Sequence, residues 1–171
     1  MNYKQKLTEI STFIFDLDGV LTDGKVYFMK DEIVRALNSK DGYAMQYAVK
    51  MGYTIFIITG GYNEDLKRRL LELGIKEVFL RSSDKLKIYS DLKQKYGYTD
   101  KQVLYMGDDI PDLPVIKEAG VSACPQDACI DVKMNVDYQS PYPGGKACVR
   151  DVIEQTLRVQ DKWLKNEAYH W

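Results

Sequence analysis

Two acidic side chains at the end of a short apolar run constrain this chain more than any other feature. Thr12-Phe13-Ile14-Phe15 is rich in β-branched and aromatic residues and reads as a buried strand. It runs into Asp16-Leu17-Asp18-Gly19-Val20-Leu21-Thr22-Asp23-Gly24, where Gly19 and Gly24 punctuate a loop. Strand side chains alternate, so Asp16 and Asp18 lean to one side while Leu17 points away. A carboxylate pair against a core is expensive unless something compensates it, and a cation is the simplest compensator.

The rest of the chain repeats the motif of strand, polar turn and helix. Lys25–Lys30 and Glu32–Leu37 read as a hairpin around Lys30-Asp31. Tyr43, Ala44, Tyr47, Ala48 and Met51 recur at helical spacing over 39–51, and Tyr53–Ile58 is apolar throughout, as a strand covered on both faces must be. Helices follow over 63–73, 84–96, 113–119, 128–134 and 147–160, and strands over 77–80, 103–106, 121–124 and 136–138. Strands alternating with helices imply an α/β fold, a doubly wound, Rossmann-like parallel sheet with a β-hairpin insertion after the first strand. The chain of 171 residues fits a single domain, 1–171, with the insertion at about 24–38 and a C-terminal tail at about 161–171 that carries no clear pattern.

Bulk properties exclude several function classes. Lys and Arg total 24 against 25 Asp and Glu, a net charge of −1, so no global field favours nucleic acid or anionic lipid. Cys124, Cys129 and Cys148 form neither a CxxC nor a zinc pattern, which points to a reducing, cytoplasmic setting. Met1–Ile10 holds no apolar leader and no run approaches a membrane span, so a soluble chain is expected. Tyr43, Tyr47 and Tyr89 fit packing, and His170 lies in the tail away from any ligand pattern.

In a parallel sheet the carboxyl ends of the strands share one rim. That rim collects Asp16 and Asp18, then Thr59 with Gly60 and Gly61, then Asp108, Asp109 and Asp112, and Lys85 at a helix start adds a cation. Several carboxylates without His or Cys suit Mg²⁺ and a phosphate. This order, DxD, then Thr, then Lys, then GDDxxD, resembles the haloacid dehalogenase phosphohydrolases over nearly the whole chain. The resemblance implies that Asp16 is the nucleophile that takes the phosphoryl group and Asp18 the general acid and base. It further implies a metal held by the Asp16 carboxylate, the Asp18 backbone carbonyl and Asp108, with Asp109 and Asp112 ordering its waters. Thr59, Gly60 and Lys85 would hold the phosphoryl oxygens. Asp112 also suits a helix cap, so its role stays open at this level.

The stretches from Gly24 to Thr59 and from Thr59 to Lys85 are filled by the elements already assigned, leaving no room for a cap domain. The hairpin, with Val26, Phe28, Ile33 and Leu37, is then the expected subunit contact. Asn38-Ser39-Lys40-Asp41-Gly42, Met106–Asp112 and Pro143-Gly144-Gly145 ahead of Arg150-Asp151 are similar to phosphatases of 3-deoxy-D-manno-octulosonate 8-phosphate. That resemblance implies a homotetramer acting on a small anionic sugar-acid phosphate in lipopolysaccharide biosynthesis, with Gly61, Arg69 and Lys146 as substrate-binding positions. Many relatives carry Arg where this chain has Gly61; phosphatases of nine-carbon sialic-type acid 9-phosphates carry Glu there. Those phosphatases, and a phospho-receiver signalling domain, are the alternatives. The receiver places its acidic pair and its phosphorylated Asp in a different order.

Overall fold

The computed structural model describes residues 2–171; Met1, the first residue of the polar N-terminal stretch, lies outside the described residues. After a short helix α1 (Tyr3–Lys6) come strand β1 (Thr12–Phe15), the hairpin β2 (Tyr27–Phe28) and β3 (Ile33–Val34), and helix α2 (Ser39–Lys50). Strand β4 (Thr54–Ile58), α3 (Glu64–Glu72), β5 (Glu77–Phe79), α4 (Lys85–Tyr96) and β6 (Val103–Met106) follow. The chain closes with α5 (Leu113–Glu118), β7 (Val121–Cys124), α6 (Ile130–Lys133), β8 (Tyr138–Gln139) and α7 (Cys148–Val159).

The six long-range strands form one parallel sheet in the order β5-β4-β1-β6-β7-β8, so β1 lies inside, paired with β4 and β6. The order reverses direction at β1, and its carboxyl end is where an open parallel sheet leaves a crevice. Side-chain alternation sorts the core into two layers. Phe13, Phe15, Ile55, Ile57, Leu104 and Met106 pack on the α2, α3 and α7 side, and Ile14, Phe56, Ile58, Val103 and Tyr105 pack on the α4, α5 and α6 side. Among the described residues only a single helical turn, Leu17–Leu21, and the hairpin intervene between β1 and α2, so the sheet is capless.

The hairpin is shorter than its sequence suggests. Only Tyr27–Phe28 and Ile33–Val34 pair, around a four-residue turn closed by Met29 N–H donating to Glu32 O at 2.9 Å. Phe28 is 81 % exposed and Ile33 42 %, as a contact surface requires, whereas Leu37 packs on the core instead. The tail, patternless in sequence, docks on α2. Tyr47 Oη donates to Lys162 O at 2.7 Å, Lys50 Nζ to His170 O at 2.7 Å, and Trp171 meets the Tyr43 ring edge-on. Among the described residues no helix is long and apolar enough to cross a membrane.

Candidate active site

At the end of β1, Asp16 still pairs with the sheet, its N–H donating to Met106 O at 3.0 Å, and Leu17 drops into the core. The chain then turns sharply at Gly19, whose φ of +90° suits glycine. A Cβ there would stand 2.0 Å from Asp108 Oδ2, so glycine is what allows the β6 loop to approach the β1 loop. The result is a cleft of about 470 Å³ lined by Asp16, Asp18, Thr59, Gly60, Gly61, Ser82, Ser83, Lys85, Asp108, Asp109 and Asp112. Every residue expected for nucleophile, proton transfer, phosphate and metal is on this one wall.

Lys85 is the electrostatic centre. It is buried between Asp16 Oδ1 at 3.0 Å and Asp112 Oδ1 at 2.6 Å. Burial works against its charge, but Asp16 and Asp112 outweigh that and raise its pKa. One cation does not balance this many acids. Burial, then Asp112, pushes Asp16 up from 3.8 to about 6 even against Lys85, and burial with Asp16 and Asp112 pushes Asp108 up to about 8. Oxygens of Asp16, Asp108 and Asp112 lie within 4.8 Å of one another. Uncompensated oxygen donors converging at this spacing fit a hard divalent cation.

The three acids are not equivalent. Asp112 accepts from Lys85 and Tyr105 Oη on one oxygen, and on the other from the N–H groups of Asp108 at 3.0 Å and Asp109 at 3.2 Å. Its lone pairs are spent on holding the loop, so Asp112 is a brace, and its side chain does not cap α5 as the sequence allowed. Gly107 makes room for that brace: a Cβ would meet Asp112 Cγ at 2.3 Å. Asp16 and Asp108 keep the free oxygens. Thr59, fully buried at the end of β4, accepts the Gly61 N–H on its hydroxyl at 3.0 Å and so shapes the turn over the cleft.

Two of the expected substrate contacts lie elsewhere. Arg69 pairs with Glu72 at 3.1 Å on the exposed face of α3, because its helical position points it to solvent. Lys146 lines a separate hollow with Asn38, Lys40, Tyr142 and Arg150. Neither lines the cleft of its own chain, whereas Gly61 does.

Sequence reasoning missed two contributors, Arg35 and Tyr105, and the structural job of a third stretch it had marked, Pro143-Gly144-Gly145. Arg35, at the base of the hairpin, grips Asp18 with Nε to Oδ1 at 2.6 Å and Nη2 to Oδ2 at 2.9 Å. Tyr105 supplies the hydroxyl on Asp112; a tyrosine in an otherwise apolar strand was the available signal, since its hydroxyl needs a partner when buried. The Pro143-Gly144-Gly145 turn seats the β1 loop, with Gly145 N–H on Val20 O at 2.9 Å and Gly144 packed on the Gly19 carbonyl. That turn is pinned by Asn38, which donates to Gly145 O at 3.0 Å, and by buried Asp41, which accepts from the N–H groups of Ala147 and Arg150. The phrase beginning at Asn38 thus supports the β1 loop through α7.

A capless, doubly wound sheet with an acidic pair, a buried lysine and an acidic loop at the carboxyl ends of its strands defines a phosphohydrolase. The family model described as haloacid dehalogenase-like hydrolase matches residues 38–120. The 3-deoxy-D-manno-octulosonate 8-phosphate phosphatase KdsC of Haemophilus influenzae is 34% identical over 160 residues, 93% of this chain and 89% of that protein. The structure of the phosphatase of that name from Moraxella catarrhalis, in complex with magnesium ion, phosphate ion and KDO, superimposes with a TM-score of 0.91 at 32% identity, covering 94% and 92% of the two chains. The cobalt-bound phosphatase of Haemophilus influenzae gives 0.90 at 32% identity, covering 96% and 99%. The chain belongs to the haloacid dehalogenase-like hydrolases, on the branch these phosphatases represent, and it is a phosphatase. The receiver-domain alternative falls with that membership.

Proposed function

We propose that this enzyme hydrolyses 3-deoxy-D-manno-octulosonate 8-phosphate to the free eight-carbon acid and phosphate, with Mg²⁺ and through a phosphoryl group carried on Asp16. The observation that carries the reading is the convergence of Asp16, Asp18, Lys85 and Asp108 on one open cleft at the switch point of the sheet.

Asp16 is anchored by its backbone to β6 and by its carboxylate to Lys85, so one oxygen is presented to phosphorus without further ordering. Attack forms the Asp16 oxygen–phosphorus bond and breaks the bond to the sugar oxygen. Asp18, two residues on and 27 % exposed in its side chain, delivers a proton to that oxygen and afterwards takes one from the water that cleaves the acyl phosphate. Lys85, the Thr59 turn and its amides face the equatorial oxygens, where charge develops. Asp16, Asp108 and the Asp18 carbonyl would hold Mg²⁺, which supplies charge neutralisation at the phosphate. Asp109, exposed at the rim, would order its waters.

The exposed Phe28, Met29, Ile33 and Val34 of the hairpin support a homotetramer in which neighbouring subunits close each open cleft, with Arg69 and Lys146 offered across the contact. Release of inorganic phosphate from a panel of eight- and nine-carbon ulosonate phosphates and neutral sugar phosphates, with Mg²⁺ or EDTA, tests the reading. The eight-carbon substrate should be preferred, EDTA should stop the reaction, and Asp16→Asn should abolish turnover while keeping the fold. Full turnover by Asp16→Asn would refute it. Light scattering of the eluted protein should give four subunits.

A further inference from the structure

Arg35 reaches the catalytic loop from outside every motif of the site. Its side chain is only 7 % exposed, and its fork grips both Asp18 oxygens at 2.6 and 2.9 Å. The third nitrogen, Nη1, is buried with no hydrogen-bond partner among the described residues. Such a donor is an unmet demand for an acceptor. The guanidinium fits because residue 61 is glycine: a Cβ there would stand 3.0 Å from Arg35 Nη2 and 3.0 Å from Asp18 Oδ2. Gly61 also lines the cleft, so an anion lying over it comes within reach of Arg35.

This geometry conflicts with a working Asp18. A carboxylate held fork to fork has both oxygens occupied and oriented, and it cannot swing to a leaving oxygen without letting go. The partner it would release is a buried cation, which must be met by another anion. Phosphate is already served by Lys85 and the Thr59 turn. A second anionic group on the same substrate is the remaining source.

We propose that Arg35 is an anion-exchange latch: at rest it holds Asp18, and a carboxylate borne by the phosphorylated substrate takes the guanidinium, freeing Asp18 to reach the leaving oxygen. The inference rests on the phosphatase reading of the site and adds a device by which a substrate with a carboxylate licenses its own hydrolysis. Gly61 is then the permissive partner of Arg35, and the fork geometry explains why arginine and not lysine is needed.

Steady-state kinetics of Arg35→Ala and Arg35→Lys on 3-deoxy-D-manno-octulosonate 8-phosphate and on ribose 5-phosphate, which carries no carboxylate, separate a latch from a structural role. For Arg35→Ala, kcat/KM on the ulosonate phosphate should fall at least tenfold, chiefly through KM. On ribose 5-phosphate kcat should rise severalfold, because Asp18 is no longer held. Arg35→Lys should fall between. Gly61→Ala, which pushes the guanidinium from the other side, should reproduce the split. Arg35→Met serves if the alanine variant melts early. Equal losses on both substrates, or no change on either, would overturn the latch. A wild-type enzyme that releases no phosphate from any carboxylated substrate would instead overturn the reading beneath it.

Discussion

The acid cluster should make stability depend on pH and on divalent cation in a linked way. Asp16 is pushed from 3.8 up to about 6 and Asp108 up to about 8, burial being the first cause in both and neighbouring carboxylates the next. A carboxyl whose folded value exceeds its unfolded value holds a proton that the unfolded chain has already released. Metal-free stability from this cluster is therefore fully present below about pH 4 and lost as pH rises through about 6 and then about 8. For Asp16 the rise of about two pH units corresponds to about 3 kcal/mol at roughly 1.4 kcal/mol per unit. Asp108, raised further still, extends the loss to higher pH, and its contribution is discounted because water reaches it. A cation between the carboxylates removes the repulsion. At a hundredfold excess over Kd it adds about 2.7 kcal/mol, or about 5–10 °C in Tm for a chain of this length. Calorimetric melts at about pH 5 to 8.5, in EDTA and in Mg²⁺, on the wild type and Asp108→Asn, read this directly. The metal-free wild type should lose Tm relative to Asp108→Asn as pH rises, Mg²⁺ should restore it most at pH 8 and least at pH 5, and Asp108→Asn should lose most of the Mg²⁺ effect. Superimposable wild-type curves with and without Mg²⁺, or metal-free stability that climbs relative to Asp108→Asn between pH 6 and 8, would refute the reasoning.

Lys85→Met leaves Asp16 and Asp112 buried without their cation and should cost about 3–5 kcal/mol by urea titration, with Asp112→Asn in the same chain recovering part of it. Gly144→Ala should lower Tm and cut kcat more than tenfold although it is outside the cleft, because its Cβ would lie 2.0 Å from the Gly19 carbonyl and displace the loop that carries Asp16 and Asp18. Asp41→Ala removes the acceptor for two N–H groups at the start of α7 and should cost about 1–2 kcal/mol at pH 5. Burial raises Asp41 to about 6, so its contribution fades from about pH 4 to 6 and the variant's deficit should shrink toward neutral pH.

The sequence by itself determined the sheet and which residues meet along its rim. Apolar runs at Thr12–Phe15, Thr54–Ile58 and Val103–Met106 can be satisfied only by strands covered on both faces, and in a parallel sheet their carboxyl ends must share an edge. Local order along the chain was therefore enough to bring Asp16, Thr59 and Asp108 to one place. The tertiary structure decided everything that depends on which distant backbone comes within a few ångströms. Asp112 became a brace because the close approach at Gly107 lets its carboxylate fold back on two amides. Arg69 turned to solvent because its position on α3 faces away from the cleft, and Arg35 was invisible because a hairpin only four paired residues long carries no signal for where its base will lean. The acidic pair at the end of β1 is thus two different things: Asp16 held by a lysine at its own rim, and Asp18 held by an arginine that only folding could deliver.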